Sequence, residues 1–473
     1  MRYEQKSCDM SEKAGAIIIG AGLAGLTAAY QLQKKGVEVR VLESAPVAGG
    51  VIRSLSVDGF ELDLGPNSLV LTPSLEKWVA ELGLDAFRLD ASAAGKQRFL
   101  VRDKTLHALS PHPVKLLKSP YLSWGAKAGI LTERFRAAGA PVAPAAGVPG
   151  EETVAAFFTR RFGKEVTAAI ADPIFSGIYA GDIHQLSIRE VMPKMVAWEK
   201  EYGSLTKAVL KNKAAMKGGR AIVSFTGGLG RLTDALAAPL GERVRTGVTV
   251  TGITTSHGEP TAQASPEACY SVTYFHDGIE HTLSAPYLIY TAPLHTLASI
   301  PWFAPVKQAS EAVVYAPVRT LHLAVSKDGL DLPPAFGFLV PSREHLSILG
   351  CIFTSAIFPS KAPEGYALLT VMLGGAHQGA DLLSDEDGFQ AAAIRDLKEI
   401  LHISSDIRVL HGQTWTKAIP QKNIGYGEIK ESLLAFQGAH PGFFFAGNGV
   451  SGVSVGDTMD YAADLIQAIS GSL

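Results

Sequence analysis

Cysteine is nearly absent: Cys8, Cys269 and Cys351 stand far apart in 473 residues. No CxxC pair or Cys/His cluster offers a zinc site, and no closely spaced even set offers a disulfide framework. Such usage fits a reducing, cytoplasmic compartment. Charge excess is missing too, with 43 Lys+Arg against 45 Asp+Glu, so nothing global favours nucleic acid, and a small or apolar partner is expected. No apolar run reaches the ~18 to 20 residues of a transmembrane helix. The most apolar stretches, such as Ala16 to Ile19 and Phe443 to Ala446, have strand length. Residues 1–14 lack the apolar core and cleavage site of a signal peptide and are expected to be a flexible tail. What is present, 47% hydrophobic and 19% charged residues, suffices for at least two packed cores and excludes disorder, collagen-like repeats and coiled coils.

The first chemical signal follows the tail. Gly15 to Ile19 reads as a buried strand, Gly20-Ala-Gly22-Leu23-Ala24-Gly25 as a glycine turn, Leu23 to Lys35 as a helix stopped at Gly36, and Val37 to Glu43 as a second strand. In this βαβ unit Gly20 permits the tight turn, Gly22 admits a pyrophosphate, and Gly25 lets the helix pack against the strand. The helix N-terminus then faces the anion. Glu43, with Ser44 beside it, ends the second strand where a carboxylate can accept from ribose hydroxyls. These features together predict a dinucleotide site.

FAD is favoured over NAD by what comes next. Gly49-Gly50, Arg53 and the segment Gly59 to Ser68, with Gly65-Pro66-Asn67-Ser68 at its end, form a second loop able to pass close to a flavin dinucleotide. Strand, glycine loop and helix recur near the other end, in Phe443 to Ala446, Gly447-Asn448-Gly449-Val-Ser-Gly452-Val453-Ser454 and Thr458 to Ala468. The C-terminal segment is therefore expected to return to the N-terminal sheet.

This ordered set resembles the flavin amine oxidase superfamily and, within it, the oxygen-dependent protoporphyrinogen oxidase family with the closely related coproporphyrinogen oxidases. The most specific matches are Arg98-Phe-Leu, Ser176-Gly-Ile-Tyr-Ala-Gly-Asp182, Phe336-Gly-Phe-Leu339, Val371-Met372-Leu-Gly-Gly, and Trp415 followed by Ile419-Pro420-Gln421. By that resemblance Arg98 pairs with a substrate propionate, and Phe336, Leu339 and Met372 line a macrocycle pocket. Val250, Trp415, Val453 and Ser454 correspond to positions beside the flavin. Three departures stand out. Val47 replaces a common Arg or Lys, Lys422 and Tyr426 replace the usual Tyr and His after Pro-Gln, and Ala462 replaces a usual glycine.

The expected fold class is α/β, with a discontinuous Rossmann-like FAD-binding domain, an antiparallel-sheet substrate domain and a mainly helical, membrane-associating region. Residues 15–85, 220–300 and 425–473 are assigned to the first, 86–91 and 301–424 to the second, and 92–219 to the third. Within the third, residues 112–136 interleave Lys115, Lys118, Lys127, Arg134 and Arg136 with Leu116, Leu117, Tyr121, Leu122, Trp124, Ile130 and Phe135. That pattern suits a peripheral contact with the cytoplasmic membrane face. The alternative is an ordinary helical surface over a core.

The resemblance implies that a porphyrinogen loses six electrons and six protons in three flavin-mediated steps, with oxygen as acceptor and hydrogen peroxide as product. It also implies contact with neighbouring haem-pathway enzymes. The macrocycle sheds its own N–H protons, so no catalytic acid or base is named; the protein supplies a dry slot and a cationic anchor. No cysteine follows Cys351, which excludes a C-terminal flavin thioether and leaves FAD non-covalent. Protoporphyrinogen IX is preferred over coproporphyrinogen III. An amine oxidase, a carotenoid desaturase and a non-catalytic porphyrin carrier are the more distant alternatives.

Overall fold

The computed structural model describes residues 12–109, 119–136, 139, 150–212, 221–257 and 268–469. A five-stranded parallel sheet runs in the spatial order Val244–Arg245, Val39–Leu42, Ala16–Ile19, Tyr287–Tyr290, Phe443–Phe445. Both of its faces are covered. Helices Leu23–Lys34, Gly230–Ala237 and Val455–Ile469 contribute to the core on one side, and an aromatic cluster including Tyr290, Phe303, Phe443 and Phe445 fills the other. This is why Ala16, Ile17 and Ile18 have no exposed surface and why the run does not alternate. The first helix ends at Lys34, and Gly36 follows with φ +80°, the left-handed conformation expected of a stop glycine.

The tail expected over residues 1–14 is corrected at its end. Glu12–Lys13 forms a short strand parallel to Leu283–Ser284, and the Glu12 carboxylate pairs with Arg40 and Arg245, each at 2.6 Å. Residues 1–11 lie outside the described residues. The strand expected at Val248 to Val250 is the start of a longer one, Thr249–His257, in an antiparallel ribbon with Ala268–His276 and Ile279–Ala285.

A second sheet has seven strands in the order Ile407–Pro420, Tyr315–Ser326, Tyr366–Gly374, Gly350–Ile352, Gly337–Leu339, Arg98–Arg102, Thr105–Leu109. Helix Glu386–Leu401 closes one face, setting Ala393, Leu397 and Ile400 in one core with Leu321, Leu323, Val371 and Leu373. On the opposite face Ala324 and Leu368 pack with Phe60 and Leu62 of the nucleotide-binding part. Two expectations change here. The hairpin Arg98–Leu109, placed by sequence in a mainly helical interval, belongs to this sheet, and its parallel pairing with Gly337–Leu339 makes the sheet mixed rather than antiparallel. Leu100 and Val101 are both buried, so the hairpin covers what would otherwise be an open strand edge.

The described residues between 119 and 212 are mainly helical, with Trp124–Thr132, Val154–Phe162, Asp172–Tyr179, Pro193–Tyr202 and Leu205–Lys211 as the longer helices. Helices Ile188–Val191 and Pro193–Tyr202 are separated at Met192, the residue before Pro193. Two adjacent arginines hold the bundle together. Arg160 bridges Glu152 and Glu199, while Arg161 meets the fully buried Glu133, whose other oxygen accepts from Ser204 Oγ at 2.7 Å and Thr206 N at 3.1 Å. Among the described residues no helix is long and apolar enough to cross a membrane.

The stretch 112–136 divides. Its residues up to 118 lie outside the described ones. Tyr121 and Leu122, read as surface anchors, are instead buried, and Lys127 is buried with its ammonium 4.4 Å from the Trp124 ring centre. Trp124, Leu131 and Phe135 remain exposed, at 83%, 57% and 74%.

Candidate active site

The glycine turn is built as its spacing requires. Gly20 has φ +104°, and a side chain on Gly25 would run into the Gly20 carbonyl; the turn is buttressed by Thr291 Oγ1, which donates at 2.9 Å toward the Ile19 and Gly20 carbonyls. Gly22 is different. A Cβ placed there would meet no atom within 4 Å, so the space beside the helix start, with Leu23 and Ala24, is open. Glu43 reaches this turn: its carboxylate accepts from Ala21 N at 2.6 Å and Ala45 N at 2.8 Å, with Ser44 Oγ 3.5 Å away. Val250 belongs to this end, because Val248 N donates to the Glu43 carbonyl at 2.8 Å two residues earlier. It therefore stands on the Glu43 side of the cradle.

The second glycine loop lies across the first. Gly49 N donates to the Ala21 carbonyl at 2.8 Å, and a Cβ on Gly50 would stand 3.2 Å from Gly22 Cα. Arg53 extends toward Trp415, its guanidinium 5.2 Å from the indole centre, and Leu64 N donates to the Arg53 carbonyl at 2.9 Å. The turn Gly65-Pro66-Asn67-Ser68 follows directly. Trp415 Nε1 donates to the Leu64 carbonyl at 3.2 Å, which joins this turn to the second sheet. From the far end of the chain, a Cβ on Gly447 would lie 3.9 Å from Ala24 Cβ. The Gly447–Ser454 loop, with Asn448 half-buried in it, thus reaches the dinucleotide helix, and Ser454 Oγ caps the C-terminal helix through Asp457 N at 3.1 Å.

These residues fit FAD. Gly22 leaves the cradle a pyrophosphate needs, and two polar atoms nearby are buried with no partner among the described residues: Arg53 Nε and Asn67 Oδ1. Unpaired buried polar atoms are costly, and a bound polar group relieves that cost.

Of the four substrate residues named from sequence, Leu339 and Met372 lie on one sheet face, and Arg98 and Phe336 meet beside it. Leu339 is opposite Gly350, Gly350 opposite Met372, Met372 opposite Thr320, and Val318, two residues before Thr320, is opposite Trp415. Directly opposed residues share a face, so Leu339, Met372, Thr320 and Trp415 project to the same side. It is the side of the Gly65–Ser68 turn, since Thr320 Oγ1 lies 3.5 Å from the Leu64 carbonyl. Arg98 opens the strand paired with Gly337–Leu339, and its guanidinium sits 4.8 Å from the centre of the Phe336 ring. The side chain is exposed, yet the surrounding wall desolvates its head enough to lower its pKa, and no carboxylate among the described residues pairs with it.

Ser176 to Asp182 forms the lid of this wall. A Cβ on Gly177 would stand 2.6 Å from Leu339 Cδ2, so any larger residue there must displace the Leu339 side chain. Ala180 takes φ +50°, and its carbonyl accepts from Ala376 N at 2.7 Å; Gln421 Nε2 holds the Tyr179 carbonyl at 2.9 Å.

Sequence reasoning missed Asp63 and Lys361. The pair is fully enclosed: Asp63 bonds Lys361 Nζ and accepts from Ser54 Oγ at 2.6 Å and Leu229 N at 2.7 Å, fixing the strand that leads into Leu64. The strict alternation Phe60-Glu-Leu62-Asp63 hides the acid, because position 63 breaks it by pointing inward. His322, set aside as structural, is buried without a carboxylate, and burial pushes its pKa down to about 3.

Comparison with known proteins agrees with this construction. A family profile described as flavin containing amine oxidoreductase matches residues 23–460. The fold and the double glycine cradle define an FAD-dependent oxidoreductase. The chain belongs to the flavin containing amine oxidoreductase family. It is 29% identical over 480 residues to the mitochondrial protoporphyrinogen oxidase of Nicotiana tabacum, covering 95% of this chain and 94% of that one. It is 28% identical over 471 residues to the coproporphyrinogen III oxidase of Bacillus subtilis, covering 95% and 96%. Its fold is similar to that of reduced UDP-galactopyranose mutase, with a TM-score of 0.72 at 16% identity over 97% and 96% of the two chains. The same scaffold therefore serves unlike substrates, and only the site residues discriminate among them.

Proposed function

We propose that the chain oxidises protoporphyrinogen IX to protoporphyrin IX, with oxygen as acceptor and hydrogen peroxide as the second product. The observation that carries this reading is the Arg98 guanidinium, free of any carboxylate among the described residues, standing over Phe336 at the rim of an apolar face that ends at Trp415. A flat macrocycle bearing carboxylates matches both parts of that wall. The names of the relatives support the same substrate class.

FAD, when bound, supplies the two-electron acceptor, and three turnovers account for the six electrons and six protons removed, each returned to one oxygen molecule. Arg98 anchors a propionate. Phe336, Leu339 and Met372 hold the macrocycle flat and exclude water, and proximity rather than a strong base drives the transfer. Three meso hydrogens leave as hydrides, and the three accompanying protons come from two pyrrole N–H groups and the fourth meso carbon, so no strong base is required of the protein.

Coproporphyrinogen III on the same scaffold is the second reading, favoured by the Bacillus subtilis relative. Four carboxylates ask for more cationic partners than Arg98 alone supplies to the described wall. Exposed Trp124, Leu131 and Phe135 support peripheral attachment to the membrane face, from which product would pass to the next enzyme of haem formation.

The test is an aerobic assay of the yellow protein with both porphyrinogens in parallel, following porphyrin fluorescence and hydrogen peroxide. Preferential oxidation of protoporphyrinogen IX with three peroxides per porphyrin is expected. Preference for coproporphyrinogen III would select the second reading, and turnover of neither would reject both.

A further inference from the structure

The pairing of Tyr315–Ser326 with Ile407–Pro420 is interrupted at Pro317. Ala316 is opposite Ile419 and Val318 opposite Trp415, so Thr416, Lys417 and Ala418 stand against Pro317 alone. Proline has no N–H to give to the ladder, and the partner strand bulges there, leaving Thr416 and Lys417 exposed. Thr320 faces the Leu64 turn, whereas Arg319 pairs with Glu386 of the helix on the opposite face. By alternation Tyr315 and Pro317 share that opposite face.

A cleft of about 500 Å³ opens beside them, between this strand end, the segment Leu294–Ser299 and helices Lys307–Glu311 and Gly375–Ser384. None of its lining residues belongs to the glycine cradle or to the wall of Arg98, Phe336, Leu339 and Met372. Its size falls within the ~300 to 1,000 Å³ of small-molecule sites. Val313, Pro317 and Leu383 give it an apolar surface, with Leu383 left 48% exposed.

Two of its polar side chains are already engaged: Ser310 Oγ donates to the Lys307 carbonyl at 2.8 Å, and Glu311 pairs with Lys307 at 3.8 Å. Three others keep binding capacity. His295 stands edge-on to Tyr315 at 4.9 Å between ring centres, and its Nδ1 is buried with no partner among the described residues. Burial and the Lys417 charge both hold the His295 pKa below its ordinary value, so the ring offers a neutral N–H donor. Tyr315 Oη accepts from Leu294 N at 3.1 Å, which leaves its own O–H to donate. Lys417 has no carboxylate partner among the described residues, so with Glu311 offset by Lys307 one positive charge remains on the lining. An unpaired buried nitrogen and an uncompensated ammonium beside apolar surface call for an occupant that is anionic at one end and apolar at the other.

We propose that this cleft is a second small-molecule site, distinct from the flavin cradle and the substrate wall, that takes a compact apolar anion. Its charged group meets Lys417, His295 and the Tyr315 hydroxyl, and its hydrocarbon body covers Val313, Pro317 and Leu383. The inference is independent of which porphyrinogen is oxidised.

The experiment titrates the FAD-loaded protein by calorimetry with anilinonaphthalenesulfonate, an apolar anion, and with N-phenylnaphthylamine, the same skeleton without the charge. The sulfonate is expected to bind about tenfold more tightly than the amine. Lys417→Met is expected to weaken the sulfonate about tenfold and the amine less than about twofold. Ala380→Trp, which fills the cleft from an exposed helix position, is expected to abolish binding of both, and Arg98→Ala to change neither. Sulfonate affinity that is unchanged in Lys417→Met or in Ala380→Trp would overturn the proposal. So would its loss in Arg98→Ala, which would place the probe on the substrate wall, or the absence of binding to the wild type. Lys417 is exposed, so its arm decides the matter even where Ala380→Trp fails to fold.

Discussion

Arg98 and Phe336 come from segments more than two hundred positions apart, yet the guanidinium rests 4.8 Å from the ring centre because Arg98 pairs in register with Gly337. The pair joins charge and apolar wall in one unit. Arg98→Ala should raise KM about tenfold, on the order of one charge-assisted hydrogen bond, while leaving flavin content unchanged. Arg98→Lys should recover only part of the loss, because an ammonium cannot stack as a planar guanidinium does. Steady-state kinetics with flavin absorbance on the same samples checks both, and unaltered KM in Arg98→Ala would remove it from the site.

Gly177 offers a test of the lid. A valine there must displace the Leu339 side chain, so Gly177→Val should weaken substrate binding while FAD remains bound. Pairing it with Leu339→Ala frees the required volume, and the double variant should bind substrate better than Gly177→Val alone. Additive losses would show that the two residues do not press on each other.

Gly22 and Gly25 should separate cofactor binding from folding. Because a Cβ at position 22 meets nothing within 4 Å, Gly22→Val is expected to fold with the circular dichroism of the apoprotein and to purify colourless. At position 25 the Cβ would strike the Gly20 backbone, so Gly25→Val should destabilise the apoprotein itself. Equal apoprotein Tm values for the two variants would contradict this.

Glu133 should make the helical region sensitive to acid. Burial acts to raise its pKa, but hydrogen bonds from Thr206 and Ser204 and the Arg161 charge outweigh that and hold it at about 2, against an ordinary 4.5. A depressed folded pKa means the contribution is full above about pH 4.5 and is lost as pH falls toward 2. Glu133→Gln should flatten the stability profile in that window. Glu133→Ala removes the carboxylate shared by Arg161, Ser204 and Thr206 while Arg161 keeps its pairing with Glu199 at 3.3 Å, and should cost about 1 to 3 kcal/mol at neutral pH, read by urea denaturation.

Membrane attachment reads out directly. Replacing Trp124, Leu131 and Phe135 together by serine should reduce flotation with anionic liposomes severalfold, since binding follows buried apolar area. The same variant should keep its activity on detergent-dispersed substrate. Equal flotation of variant and wild type would assign these side chains to an ordinary surface.

The nucleotide half was legible in sequence because its signals are local. A glycine turn, its flanking strand and helix, and Glu43 lie within one βαβ unit, and backbone conformation there depends on near neighbours. The hairpin Arg98–Leu109 was not legible, because joining a distant strand in parallel leaves no trace at short range.

Thus the sequence alone determined the dinucleotide cradle and the family. Tertiary structure decided that Leu339, Met372, Thr320 and Trp415 share one face, that Asp63 meets Lys361, and that Lys422 and Tyr426 hold alternate carbonyls of one loop. These relationships depend on strand register and on packing between segments hundreds of residues apart. Local propensity does not encode either, whereas burial of both sheet faces enforces them.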